Sequence, residues 1–310
     1  MTMNTPALAP LGSTGLTRRR LLAGLVALPT LAAVVAACGD DTVDGPAGTS
    51  PGTNPGTSPG TGDTATGIAH PTGADDVVVR IAYEGGFVPM EYLFVNQPTL
   101  LVSGDGRVFT PQPVAAIYPG PLVWPMSVRT ISEAGIQTLL GLARDRGLLA
   151  PPPDYSTDDP VVDAPDTVVT ITTADGTWVH RAYALALGGA PENSDARRAL
   201  AEFVAVTSDL SSAVGAAELG PESTHEPDQF RLRATVTDEA TLGGIEPAPT
   251  IVDWPSDTGL ALADASDCGR VSAEAAGQLL ADATQITYFR DGGAVYGLAV
   301  AGVLPGDPAC

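Results

Sequence analysis

Residues 130–147, TISEAGIQTLLGLARDRG, and residues 167–187, TVVTITTADGTWVHRAYALAL, decide the fold class. In the first stretch Thr130 and Glu133 have capping-box spacing, in which hydroxyl and carboxylate each satisfy a backbone donor of the other residue. Ile136, Leu139, Leu140 and Ala143 then fall at i, i+3, i+4 and i+7, one apolar face of a helix. Arg144 and Arg146 suit the negative C-terminal end, and Gly147 stops it. In the second stretch, β-rich runs on either side of Ala174-Asp175-Gly176 predict a hairpin. The order returns near the C-terminus. Ser272–Ala283 predicts a helix with Ala276, Leu279, Leu280 and Ala283 inward, and a hairpin follows across Asp291-Gly292-Gly293. Helix, strand, turn and strand written twice predict an α+β architecture, antiparallel β-hairpins with helices packed on one face. The repetition places two similar lobes at 76–190 and 191–310.

Other segments fit this frame. Val77–Tyr83 is a β-branched strand, and Thr99–Ser103 and Arg107–Thr110 flank the turn Gly104-Asp105-Gly106. Pro111–Pro125, rich in proline and aromatics, reads as edge strand or loop. Pro191–Asp209 predicts a helix with Leu200, Phe203 and Val204 inward. Phe230–Thr237 alternates as a half-buried strand does.

Ahead of the lobes lies an export signal. Arg18-Arg19-Arg20 precedes an uncharged run from Leu21 to Ala37, interrupted by Pro29 and ending in Val35-Ala36-Ala37-Cys38. A positive n-region, a short apolar stretch and a small-residue cleavage site make a secretory signal, 1–37. The run is shorter than the roughly 20 apolar residues a membrane span needs. Thr17-Arg18-Arg19 resembles the start of a twin-arginine motif, without its aromatic residue and lysine. Val-Ala-Ala-Cys resembles the lipobox of bacterial lipoproteins. That resemblance implies that Cys38 is lipidated, by diacylglycerol or palmitate-type chains, and becomes the first mature residue. Two acyl chains suffice for stable anchoring. Residues 39–75 carry a Pro-Gly-Thr-Asn/Ser rhythm with little apolar surface to repay ordering. With Cys38 they form an anchor and tether, 38–75, with a mean reach of roughly 35 Å for a flexible chain.

Composition excludes several chemistries. The chain carries 36 acidic and 15 basic residues, net −21, and the three arginines of the signal leave the mature part more acidic still. Nucleic-acid binding needs a basic footprint, which is missing. No lysine occurs. Schiff-base, pyridoxal-phosphate, Walker-A and S-x-x-K chemistries each need that amine. No Ca²⁺-loop motif is present, and the G-x-S-x-G strings at Gly48–Gly52 and Gly56–Gly60 lie within the Pro/Gly-rich tether, so they make no strand-to-helix nucleophile elbow.

With Cys38 lipidated, Cys268 and Cys310 are the remaining pair, and an exported chain predicts that they are bonded to each other, for about 4 kcal/mol by chain entropy. His70 falls in the tether, His180 on a strand surface and His225 in a polar loop, with no metal-ligand spacing among them. Asp158, Asp159, Asp163 and Asp166 read as a solvated acidic loop. Trp124, Trp178 and Trp254 are the only tryptophans. No catalytic constellation, metal set or cofactor site emerges. The candidate partner patch is aromatic: Phe87, Met90, Tyr92, Tyr118 and Trp124 sit in two Gly/Pro-rich segments, where loops on a rigid scaffold commonly carry function.

The runs GGFVPMEY (85–92), GDGRV (104–108), SEAGIQTLLGLARDRGLL (132–149) and DAPDTVVTITTADGTW (163–178) resemble a family of actinobacterial exported lipoproteins. They are also similar to an uncharacterised bacterial domain with G-G-x-x-P-x-Y and Asp-Gly turns. The resemblance implies location and fold; it implies no activity. The expected function is that of a lipid-anchored protein at the outer face of the cytoplasmic membrane, binding an envelope protein or glycan. The alternative is a hydrolase with paired carboxylates, which requires a cleft holding two convergent, desolvated acids.

Replacing Cys38 by Ala is expected to abolish membrane anchoring. Intact-mass analysis and detergent partitioning of the expressed protein check this; an unlipidated wild-type chain would refute the anchor.

Overall fold

A computed structural model describes residues 67–157, 161–187, 192 and 194–310. The first half contains β1 (Val77–Gly85), α1 (Met90–Val95), β2 (Leu100–Ser103), β3 (Arg107–Pro111), β4 (Met126–Thr130), α2 (Glu133–Asp145), β5 (Pro165–Thr173) and β6 (Gly176–Tyr183). Then follow α3 (Asp195–Thr207), α4 (Leu210–Val214), β7 (Ser223–Thr224), β8 (Gln229–Thr237), α5 (Glu239–Leu242), β9 (Thr250–Asp253), β10 (Gly269–Ser272), α6 (Ala273–Asp282), β11 (Thr287–Asp291) and β12 (Ala294–Gly302). The fold is α+β. A seven-stranded antiparallel sheet has the order β6-β5-β1-β2-β3-β4-β7, and a five-stranded sheet the order β10-β8-β12-β11-β9. The pair β9–β11 is parallel, which no hairpin signal announces.

The helix–hairpin pattern occurs at both expected places, as α2–β5–β6 and α6–β11–β12. The chain does not change sheets at residue 190, however. Leu200 and Phe203 of α3 and Leu210 and Val214 of α4 pack with Ile136, Leu139 and Leu140 of α2 on the first sheet. Strand β7 then pairs with β4. Residues to Thr224 therefore serve the first sheet, because the apolar faces of α3 and α4 need the surface that α2 leaves open. The second core joins Phe230, Leu232, Val271, Leu280, Phe289 and Val300.

Two corrections concern where order starts. Thr130 is held in β4 opposite Arg107, so the helix is capped by Ser132 instead, whose hydroxyl accepts from Gly135 N–H at 3.1 Å. The Thr130–Glu133 capping box does not form. Glu133 is thereby free to meet His70, whose Nε2 lies 3.2 Å from its carboxylate with the ring nearly buried. The amide of Gln137 brackets Ile68, donating to its carbonyl at 2.9 Å and accepting from its N–H. The ordered chain thus reaches into the segment read as tether. Gly147, with φ +73°, ends the α2 turn as expected.

The C-terminal tail fastens the two sheets. Cys268 and Cys310 form a disulfide with Cα atoms 5.2 Å apart. Arg270 donates to the Pro308 carbonyl at 2.8 Å. On the other side Leu304 inserts among Leu101, Phe109 and Met126, on the face of the first sheet away from its helices. Gly306 passes so close to Val77 that a Cβ would lie 2.5 Å from its Cγ2.

A buried cation holds the far end of the first sheet. Arg197, in the first turn of α3, is fully buried. Its Nε donates to Glu192, and its Nη1 donates to the carbonyls of Tyr155 at 2.9 Å and Tyr183 at 3.1 Å. One guanidinium therefore ties two loop segments and the end of β6 to a helix start. Removing one partner of a buried ion pair strands the other charge, at about 3–5 kcal/mol. Arg197→Ala is expected to lose that much stability in urea denaturation. Arg198→Ala, which removes an exposed neighbouring pair, is expected to change it by less than about 1 kcal/mol.

Candidate functional site

The site grows from the end of β1. Side chains alternate along a strand, so Val79, Ile81 and Tyr83 share one face. Val79 and Ile81 are buried in the helix-side core, whereas Tyr83 is half-exposed. Gly85 and Gly86, both with positive φ, then break the strand, and Pro89 leads into α1. Though its sequence is MEYLFV, no residue of α1 is buried. It is held from one side, where the Arg231 guanidinium lies 5.2 Å from the centre of the Phe94 ring, and its other face is open.

All five residues of the expected aromatic patch are exposed: Phe87 86%, Met90 61%, Tyr92 51%, Tyr118 61% and Trp124 42%. Tyr92 and Trp124 line one hollow of about 230 Å³ with Tyr83, Asn96 and Gln97. Both amides there are tethered. Asn96 Nδ2 donates to the Tyr83 carbonyl, and Gln97 Nε2 donates to the Trp124 carbonyl at 3.3 Å. Those bonds fix which end of each amide is left to act as an acceptor.

A second hollow, of about 540 Å³, shares Tyr83, Thr99 and Pro111 with the first. The two hollows therefore adjoin at these residues, and together they make up a groove. Ile81, Leu100 and Val108 line its apolar side, and Thr207, Ser208 and Ser211 come from the end of α3 and the start of α4. Its two carboxylates are engaged internally, whereas the buried Arg129 Nε has no hydrogen-bond partner. Arg129 Nη1 lies 3.9 Å from Glu222, which also accepts from Ser127 Oγ at 2.7 Å. Asp209 caps α4, accepting from Ser212 N–H at 3.1 Å and from the Ser211 and Ser212 hydroxyls. Those bonds, led by Ser212, hold its carboxyl below the usual range.

The other perturbed groups are structural. Burial pushes Glu84 up, but the hydrogen bonds and charges of Arg181 and Arg80 outweigh this and bring it down. Asp154 is lowered by the Ser156 backbone N–H and hydroxyl. His180, read from sequence as a strand-surface residue, is fully buried. Its Nε2 is 2.9 Å from the Leu148 carbonyl, and its Nδ1 is 2.7 Å from the Tyr155 hydroxyl. A carbonyl only accepts, so Nε2 carries the proton and Nδ1 accepts from tyrosine. Trp178 opposite Ile171 and Val179 opposite Thr170 make the strand look amphipathic either way; the register assigns His180 to the side of Val169. Burial lowers the His180 pKa and raises Tyr155 to about 12. His225, at the edge of the Phe109 ring, is lowered by burial and then by Arg107.

No protein-family model matches this chain, and no curated protein or solved structure is detectably similar to it. The groove has to be read from its own chemistry.

Of the residues singled out from sequence, Tyr92 and Trp124 meet in the groove. Cys268 and Cys310 meet in the disulfide, beside β10 of the other sheet, and neither lines the groove. Asp166 accepts from Arg181 at 2.9 Å, and Asp158 and Asp159 lie outside the described residues, as do Arg18, Arg19 and Cys38. Among the described residues no group of three or more His, Cys, Asp or Glu is placed to hold a metal. No helix there is long and apolar enough to cross a membrane. Sequence reasoning missed Tyr83, Asn96, Gln97 and Arg129. For the amides a signal existed: Asn96-Gln97 follows directly on an apolar helix whose residues find no core.

His180 and His225 both have folded pKa values below the unfolded 6.5. As pH falls through 6.5 the unfolded state binds protons first, so stability decreases. The lowered carboxylates act only below their ordinary values near 4, which leaves pH 6.5 to 5 as the histidine window. Urea denaturation at pH 7.5 and 5.5 is expected to show lower stability at 5.5. His180→Gln is expected to shrink that difference without abolishing it, since His225 remains.

Proposed function

We propose that this chain is a lipid-anchored binding protein of the cell envelope. It is held by Cys38 at the outer face of the cytoplasmic membrane, and it presents the Tyr83–Tyr92–Trp124 groove at the end of a tether. The carrying observation is that all five aromatic-patch residues are exposed, with two of them in the same hollow. Exposed apolar surface of this extent costs solubility and marks interaction sites on soluble domains. The signal, the lipobox and the resemblance to exported lipoproteins support the location.

Hydrolysis by paired carboxylates is supported less well. A general acid must keep its proton near neutrality, which takes a raised pKa. Each carboxylate with a resolved shift, Glu84, Asp154 and Asp209, is lowered instead. Of the two acids lining the groove, Asp209 spends its oxygens on a helix cap and Glu222 on Ser127 and Arg129. Such acids hold structure in place.

The test uses detergent-solubilised full-length protein mixed with delipidated envelope material. Wild-type protein is expected to co-sediment with it, and Tyr92→Ala/Trp124→Ala to weaken retention by at least about tenfold, the loss of roughly 1.4 kcal/mol. Equal retention of both proteins, or none of either, would remove the groove from the function.

A further inference from the structure

We infer that the groove takes a neutral glycan chain. This rests on the binding reading above and names its ligand class. The hollow at the α1 end offers three half-exposed rings, Tyr83, Tyr92 and Trp124. Sugar rings carry apolar C–H faces that stack on such rings, and hydroxyl edges that need fixed partners. The partners are present at the same place. Asn96 and Gln97 spend their NH₂ groups on the Tyr83 and Trp124 carbonyls, so each retains a carbonyl oxygen to accept from a ligand hydroxyl. The same two bonds run to the backbone of two ring-bearing residues, which couples acceptors and stacking faces into one rigid unit. Pre-organisation of this kind lowers the entropy cost of binding.

The rest of the groove continues the alternation of apolar surface and hydroxyl. Ile81 and Val108 lie on one side, with Thr99, Thr110, Thr207 and Ser208 around them. The two hollows share three residues, so the ligand that fits is extended, a chain more than a single ring. Small-ligand pockets are mostly apolar with a few placed polar groups; both hollows conform, with a largely apolar lining in which the Thr99, Thr207 and Ser208 hydroxyls donate to backbone carbonyls and keep their acceptor capacity for a ligand.

Charge selects among glycans. Arg129 is the cation of the groove, and it faces Glu222; Asp209 is occupied by Ser211 and Ser212. The Arg129 Nε is buried without a hydrogen-bond partner, but Asp209 and Glu222 line the hollow against this one cation, so the net charge of the lining disfavours a phosphate, sulfate or uronate. The chain as a whole carries net −21, which repels polyanions. A neutral chain meets neither penalty. A protein partner is favoured less, because protein interface cores are close-packed across a broad patch, whereas the three rings here line a concave hollow of about 230 Å³.

The experiment starts from the envelope retention assay with the full-length protein. Retention is expected to survive protease digestion of the envelope material and to be lost after periodate, which cleaves vicinal diols. The neutral polysaccharide fraction of that envelope is expected to compete and to perturb tryptophan fluorescence, while the phosphate-rich fraction does neither. Trp124→Ala is expected to weaken binding at least about tenfold, and Trp124→Phe, which keeps a stacking face, to restore most of it. Retention lost to protease and indifferent to periodate would overturn the glycan and leave a protein ligand in the groove. Competition by the anionic fraction alone would overturn neutrality. Absence of retention under all conditions would fell the binding reading itself.

Discussion

The docking of Leu122 into the second core is the contact on which the groove depends. Its side chain belongs to the cluster around Phe230 and Leu280, with Val123 packed against the same core, whereas β4, which starts at Met126, pairs in the first sheet. Its N–H donates to the Ala283 carbonyl at 3.0 Å, and Gly120 and Gln285 bond on either side of it. A proline-rich stretch with no regular structure of its own is thus pinned across two sheets. Trp124, two residues on, is held in place by that pin and by Gln97.

The opposite wall is supported the same way. Helix α1 buries none of its residues, so its own packing cannot fix it. It leans on the second sheet through Phe94 and Arg231 and on β1 through Asn96. The second sheet therefore acts as a buttress for a site whose floor belongs to the first. Its own position is secured by the tail, where the disulfide holds one end and Leu304 the other. Side chains that bind are more exact when their supports are rigid, and both walls of the groove meet that condition from outside the sheet that forms it.

The polar groups divide by role. Arg197 and His180 are buried with their hydrogen bonds largely made within the fold, and they connect loops to strands. Arg80, Glu84, Asp166 and Arg181 form a network on the face of the first sheet away from the helices. Those groups stabilise. Asn96 and Gln97 spend their NH₂ groups on the backbone and leave a carbonyl oxygen at the surface, where water or a ligand can donate to it.

What the sequence determined by itself is local. Asp-Gly turns set the hairpins at 174–176 and 291–293, because only a few residue types adopt those turn conformations. The 3.6-residue period set α2, α3 and α6, and the composition set the acidic, lysine-free surface. The aromatic patch was legible as well, since the Gly/Pro-rich segments 85–92 and 117–124 disfavour the regular sheet that buries such rings. The tertiary structure decided what depends on distant pairing. Thr130 goes into β4 and loses the cap to Ser132, as strand pairing with β3 outweighs one side-chain hydrogen bond. His180 faces inward by the register of β6 on β5, and a one-residue slip would expose it. β9 joins β11 in parallel, α3 and α4 return to the first sheet, and Asn96 and Gln97 become acceptors of fixed direction only once Tyr83 and Trp124 are beside them. Each of these is a long-range contact, whose partner no local pattern of residues specifies.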